Sequence, residues 1–375
     1  MTTYHEQREW FLAWVRDDAL PLWSSAALDP RGGYHESLTH NGEPVVDAPK
    51  RWRVQARQAF SFARAELLGL MADGRAASDH GWRFMIDRGL LPKEGFVPSF
   101  VHVFSPEGEV LNDTRDGYDH TFALLASAER RAVYDDPEAE EVDSVVEGYF
   151  SALRHEHGGY AEAFPPSLPR RQNPHMHLFE ASTLRLEAGA SAFAEEAQRE
   201  VLSLYHEHFW DPDRGVLLEF FTEDWIPDPR KGALIEPGHM TEWLWLLQRA
   251  GETDLPHLVT LYENARRLGR IGRYGILSDE VDLAADEALQ TGRLWCQTEH
   301  IRAAATLGRL TGEAAYHEEA GRLLETFVEL YLAPVAKGGW VDRLNADGSA
   351  ASELMPTSLL YHIITLADEL LAYDG

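Results

Sequence analysis

The sequence predicts an all-α fold, a closed (α/α)6 barrel of six helical hairpins joined by short, β-hairpin-like Gly-rich connections, in a single domain over residues 1–375. Three observations carry this reading. Apolar residues recur at helical spacing through nearly the whole chain. They group into twelve segments, each bounded by Gly, Pro or polar runs. Between pairs of these segments lie six look-alike stretches, each one or two glycines, then an aromatic or aliphatic residue, then a short alternation. Gly33, Gly95, Gly159, Gly215, Gly275 and Gly339 mark them, at steps of 62, 64, 56, 60 and 64 residues. A degenerate repeat of that length is the mark of stacked αα-hairpins. Six hairpins with twelve helices favour a closed ring over an open solenoid.

In chain order, the first helix is expected at 4–20 and is polar and amphipathic. The second, at 50–72, follows Gly32-Gly33-Tyr34-His35-Glu36 and opens with the cations Lys50, Arg51, Arg53 and Arg57. Helices at 76–89 and 117–131 flank Gly95; Tyr118, Asp119 and His120 open the latter. The acidic stretch at 135–143 reads as a solvated turn leading into 138–154. The sixth helix, 174–189, starts with Asn173 as its cap and Pro174 in its first turn. Helix 192–209 leads to Gly215. The eighth, 239–250, follows Pro237 and Gly238 directly, and 254–270 leads to Gly275. The tenth, 291–310, opens with Trp295, Gln297 and Glu299. Helix 313–332 leads to Gly339, and 356–371 begins at Pro356. In a closed ring the even-numbered helices are the inner ones, and parallel inner helices gather their N-termini at one mouth. The helices bearing His177, His239 and His362 all fall in that set.

Composition narrows the function. The chain carries 62 acidic residues against 34 basic, a net charge of −28. That argues against nucleic acid and anionic membranes, which bind basic patches. A neutral, polar small molecule is the expected partner. Phosphorylated or carboxylated ligands are disfavoured, although a local Arg overrides global charge. One cysteine, Cys296, excludes an intramolecular disulfide framework and a multi-cysteine zinc site. No secretion-signal core and no membrane-length apolar run occurs, so the cytoplasm is the expected compartment. Monomer and homo-oligomer both fit.

Chemistry-bearing residues cluster at the starts of the inner helices. His239, Glu242 and Trp243 share one helix face, as do His177 and Glu180. Each i, i+3 pair reads as a His oriented by its carboxylate, a sugar-hydroxyl clamp or a plain helix-face hydrogen bond. A metal pair is a further reading, but the two-His i, i+4 spacing is absent and no metal is expected. His175 points to another face than His177 and reads as structural. His362, ringed by Leu359, Leu360, Tyr361 and Ile363, reads as a buried structural His when taken alone. Arg57 lies beside Ala56 and Ala59, facing inward to steady a negative oxygen or pairing with a carboxylate. A His in the first turn of a helix loses basicity to the helix dipole and stays neutral near pH 7. No phosphate-binding glycine loop, dinucleotide fingerprint or GxSxG elbow occurs, and no cofactor is expected.

RGGYHES, RWRVQARQAFSFA, DGYDHTFALLA, NPHMHLFEA, EPGHMTEWLWLL, RLWCQTE, GGWVDRL and PTSLLYH, in this order from about residue 31 to 371, resemble the N-acylglucosamine 2-epimerase superfamily. The resemblance implies an (α/α)6 barrel, which the repeat count also gives. It implies interconversion of sugars at C1 and C2 without a redox cofactor. It makes Arg57, His177, His239 and His362 the functional set, and places Asn173, Tyr118, Glu180, Glu242 and Trp295 in or near the sugar site. NPHMHLFEA and EPGHMTEW look most similar to the mannose isomerase branch. Ser358 stands where sulfoquinovose isomerases carry a larger amide, which counts against a sulfonated substrate. The expected function is thus aldose–ketose isomerisation of an unphosphorylated aldose such as D-mannose to D-fructose through a cis-enediol. His362 would move the proton, with His239 as partner acid/base, His177 aiding ring opening and Arg57 steadying charge. A sugar 2-epimerase using His239 and His362 on opposite faces of C2 is the alternative. A glycoside hydrolase using Glu242 and Glu299 ranks below it.

Overall fold

The computed structural model describes residues 3–373. Helix α1 (Tyr4–Trp14) runs through a π-helical turn, Val15–Ala19, into the short α2 (Leu20–Trp23). Then follow α3 (Trp52–Leu67), α4 (Arg75–Phe84), α5 (Gly117–Tyr134), α6 (Ala139–Ala152) and α7 (Gln172–Glu187). The second half comprises α8 (Ala192–Leu204), α9 (Pro237–Arg249), α10 (Leu255–Gly269), α11 (Leu294–Thr311), α12 (Ala314–Phe327) and α13 (Leu360–Leu371). Helices α3, α5, α7, α9, α11 and α13 pack in sequence, and α13 returns onto α3. The ring is closed, an (α/α)6 barrel.

Sequence pattern sorts the two layers. Outer helices bury one stripe, as α8 does with Ala194, Ala197, Val201 and Leu204 at spacings of three and four. Inner helices are buried all round, and in α11 every residue from Leu294 to Gly308 is buried. No helix among the described residues is long and apolar enough to cross a membrane.

The helix starts differ from the periodicity in an instructive way. Residues 50–51 and 291–293, expected to be helical, are strands. Each inner helix is preceded by such a strand, and each strand pairs antiparallel with the connection of the next hairpin. Lys50–Arg51 pairs with Val103–Phe104, Arg115–Asp116 with Ala163–Phe164, and Arg170–Arg171 with Phe220–Phe221. Leu234–Ile235 pairs with Val281–Asp282, Thr291–Arg293 with Arg343–Asn345, and Leu354–Pro356 with Ser37–Thr39. Six strand pairs thus belt the mouth and tie each inner-helix start to its neighbour. Backbone pairing across hairpins overrides local helical preference there. Helix α7 also starts one residue before its expected cap. Asn173 lies inside the first turn, and Arg171 occupies the cap position without a side-chain bond.

Side-chain ion pairs cross the opposite end of the barrel. Arg64 of α3 bonds Glu129 of α5 at 2.6 Å and approaches Asp368 of α13 at 3.6 Å. Arg249 of α9 reaches the same Asp368 at 3.9 Å and Glu187 of α7 at 2.7 Å. Five of the six inner helices are joined there at their C-terminal ends, where cations complement the helix dipoles.

The first and last units meet through two indoles. Trp23 stacks on Trp340 with centroids 4.2 Å apart, and its Nε1 donates to the Gly338 carbonyl at 3.0 Å. Trp23 is fully buried. Trp23→Ala is expected to destabilise the protein by about 3–5 kcal/mol, read as a lower midpoint in chemical denaturation.

Candidate active site

The N-terminal ends of all six inner helices surround one cavity of ≈ 240 Å³. Arg57 enters it from α3, Tyr118 from α5, Asn173 and His177 from α7, and His239 and Glu242 from α9. Trp295 comes from α11 and His362 from α13. Eight of the nine residues expected at the site therefore line it. The ninth, Glu180, expected in or near the site, does not line the cavity itself but bonds the Nδ1 of His177, which does.

The three histidines share one design. His177 Nδ1 donates to Glu180 Oε2 at 2.9 Å, and Tyr361 Oη donates to the other Glu180 oxygen. His362 Nδ1 donates to Glu299 Oε1 at 2.9 Å, while Trp245 Nε1 donates to Glu299 Oε2 at 2.8 Å. His239 Nδ1 donates to Glu219, with oxygens at 3.0 and 3.1 Å. A carboxylate only accepts, so each Nδ1 carries hydrogen and each Nε2 is left for the cavity. The expected His239–Glu242 pairing is not formed, because Glu219 arrives from the connection ahead of α9. Both Glu242 oxygens are buried without a partner, and Oε1 lies 3.9 Å from His177 Nε2. Buried carboxylates without partners are rare, and sugar hydroxyls in the cavity would satisfy this one.

Electrostatics separate the three. Burial pushes His362 well below its usual range, and Arg57 and His177 add to this. Burial also lowers His177, with Glu180 partly opposing. Burial would lower His239 too, but the carboxylates of Glu219 and Glu236 outweigh it and raise it to about 10. The expectation that all helix-start histidines are neutral thus fails at His239. Burial, then Glu299, pushes the Glu242 carboxyl well above the usual carboxylate range.

Around them the walls are fixed. Arg57 Nη2 donates to Tyr118 Oη at 2.8 Å, and its guanidinium lies 4.2 Å from the Phe122 ring centroid. Trp295 sits between two histidines, 4.9 Å from His239 and 5.9 Å from His362. A glycine permits this: a Cβ on Gly238 would lie 2.7 Å from the Trp295 ring. The Asn173 Oδ1 is buried and unpaired. Among the described residues, ligand-type atoms within 4.8 Å of one another form three trios: His177–Glu180–Glu242, Glu219–Glu236–His239 and Glu242–Glu299–His362. A cation at any of them would compete with a His–Glu hydrogen bond.

The profile of the family described as N-acylglucosamine 2-epimerase (GlcNAc 2-epimerase) matches residues 32–366. The chain belongs to this family. It is an enzyme of the carbohydrate isomerase and epimerase class. A Rhizobium meliloti (strain 1021) protein named mannose-6-phosphate isomerase is 35% identical over 384 residues, covering 98% of this chain and 97% of the relative. The structure of cellobiose 2-epimerase from Spirochaeta thermophila DSM 6192 superposes with a TM-score of 0.86 at 22% identity, covering 98% of this chain and 96% of that one. A crystal structure of a D-mannose isomerase gives 0.84 at 21% identity, covering 97% of each chain.

Within this epimerase-family barrel, the residues missed from sequence include the cavity-lining Glu236 and Arg293 and, behind His239, Glu219 and Gln172. Gln172 Nε2 donates to Glu219 Oε2 at 2.8 Å, and Trp243 Nε1 donates to Gln172 Oε1 at 2.8 Å. One signal was available: Glu219 ends a Gly-turned segment that resembles the segments ending at Glu36, Glu162 and Asp279.

Proposed function

We propose that this family member is an aldose–ketose isomerase acting on a single hexose of the mannose–fructose type, without a cofactor, and that residues 1–375 work as one catalytic domain. The observation that supports it best is the set of three imidazoles lining the cavity alongside Arg57; His239 and His362 stand on either side of the Trp295 ring. A cavity of ≈ 240 Å³ falls below the roughly 300–1,000 Å³ of pockets for drug-sized ligands. It suits one sugar ring. The name of the D-mannose isomerase neighbour agrees.

His177 assists ring opening by exchanging a proton with the ring oxygen and anomeric hydroxyl. His362 Nε2 takes the C2 proton, and the C–H electron pair becomes the C1=C2 bond of a cis-enediol. His239 shares its proton with the oxygen gaining charge, and Arg57 steadies that oxygen. His362 then returns its proton to C1 while O2 gives its proton to His239, and the C2=O bond of the ketose closes. The hydrolase reading loses its proposed Glu242–Glu299 pair, because Glu299 is bound to His362 and does not line the cavity.

A second substrate reading, a hexose phosphate, has its own support. Arg51, Arg53 and Arg293 line the mouth of an otherwise acidic protein, and the rhizobial relative is named for a phosphorylated sugar. The test is NMR of mannose, mannose 6-phosphate, glucose, fructose and N-acetylmannosamine, each incubated with enzyme in heavy water plus a chelator. The expected result is fructose from mannose with deuterium entering the product, in the presence of chelator. Glucose from mannose without fructose would replace isomerase by 2-epimerase. Turnover of the phosphate ester alone would move the assignment to the phosphorylated sugar.

A further inference from the structure

The repeat supplies its own control for Glu219. In three other units the carboxylate ending the Gly-turned segment holds the residue preceding an inner helix. Glu36 accepts from the Arg51 amide at 3.0 Å, Glu162 from the Arg171 amide at 2.9 Å, and Asp279 from the Arg293 amide at 2.5 Å. Arg51, Arg171 and Arg293 are the cap residues of α3, α7 and α11. In the Gly215 unit the corresponding cap of α9 is Glu236. Glu236 brings no cationic side chain of the kind that Arg51 offers Glu36 and Arg171 offers Glu162, and Glu219 turns instead to His239, held by Gln172.

We propose that Glu219 is a positioning residue that aims His239 Nε2–H at the sugar oxygens and so leaves proton transfer at carbon to His362. The proposal rests on the isomerase reading above. The groups facing His239 are Glu219 at 3.0 Å, the Gln172 amide at 3.1 Å, Glu236 at 3.7 Å, Glu242 on its own helix, and the Trp295 ring. His177 adds a distant opposing charge in its protonated form, and Arg293 and Glu280 act on Glu236. Three carboxyl groups thus surround one imidazole. By contrast, Glu299 beside His362 is also bound by Trp245 and lies 3.7 Å from Arg302. An imidazolium has no lone pair to take a proton from C2, but it donates one to O1 as the C1=O bond opens. It recovers a proton from O2 as the C2=O bond closes, so its charge is restored each turnover. Epimerisation needs His239 to deliver its proton to carbon on the opposite face, and a hydrogen bond locked onto oxygen disfavours that.

The experiment compares Glu219→Gln and Glu219→Asp with the parent enzyme by three readouts. These are kcat and KM across pH, the fructose-to-glucose ratio formed from mannose, and the His239 imidazole titration by NMR, assigned with His239→Gln. Expected for Glu219→Gln is a fall in kcat of about tenfold to a hundredfold with KM changed less than threefold by the order of one lost contact. The alkaline limb should move toward neutrality, the glucose share should rise, and Glu219→Asp should recover part of each. Unchanged kcat, alkaline limb and His239 titration in Glu219→Gln would overturn the proposal while leaving an isomerase in place. If the parent isomerises no hexose, the reading above fails instead. The NMR titration then still decides whether Glu219 governs His239.

Discussion

His362→Asn is expected to lower kcat on the hexose substrate by about a thousandfold, the middle of the range for losing a general base. Folding should be preserved. His362 is only 4% exposed, but it faces the cavity rather than the packed core, and Glu299 keeps Trp245 as a partner after the substitution. The pH dependence follows from its surroundings. Burial first, then Arg57 and His177, holds His362 below the ordinary 6.5. A group so depressed is neutral above its own pKa and protonates only when pH falls through it. The acid limb of kcat/KM is therefore expected below pH 6.5, with a flat region through neutrality. Deuterium entering C1 of the ketose from heavy water should vanish in the variant together with turnover. A variant that still exchanges deuterium at the parent rate would remove His362 from the carbon proton transfer.

Arg57→Ala is expected to cost about 10²–10³ in kcat, the scale of losing one donor to a developing oxyanion. Its guanidinium is buried, held by Tyr118 Oη, with the Phe122 and Tyr361 rings 4.2 and 5.0 Å away. Flat stacking and a planar fork are what Lys lacks, so Arg57→Lys should recover little. The same charge depresses His362, so Arg57→Ala should also move the acid limb of kcat/KM upward, toward the ordinary histidine range. Loss of kcat without movement of that limb would mean that Arg57 acts on the sugar alone. Retained kcat would remove it from the chemistry.

The barrel was legible because its helices obey one period and its connections one glycine rhythm. The strand belt was not. Two- and three-residue strands such as Lys50–Arg51 and Thr291–Arg293 have no periodicity of their own, and their partners lie some 50 residues away. The residues facing the cavity were legible where a helix start fixes which side chains share a face, as with His177, His239 and His362. Their partners were legible only when local. Glu180 lies three residues from His177 and was read as its companion. Glu219 precedes His239 by 20 residues and Glu299 precedes His362 by 63, and no spacing rule reaches that far. The same locality suggested a His239–Glu242 bond that does not form, although Glu242 does line the cavity with both oxygens unpartnered.

The ionic plug across Arg64, Glu129, Asp368, Arg249 and Glu187 makes the barrel a well, not a pipe. Whatever enters the cavity leaves by the door it came in. A polymer cannot be threaded through such a shape.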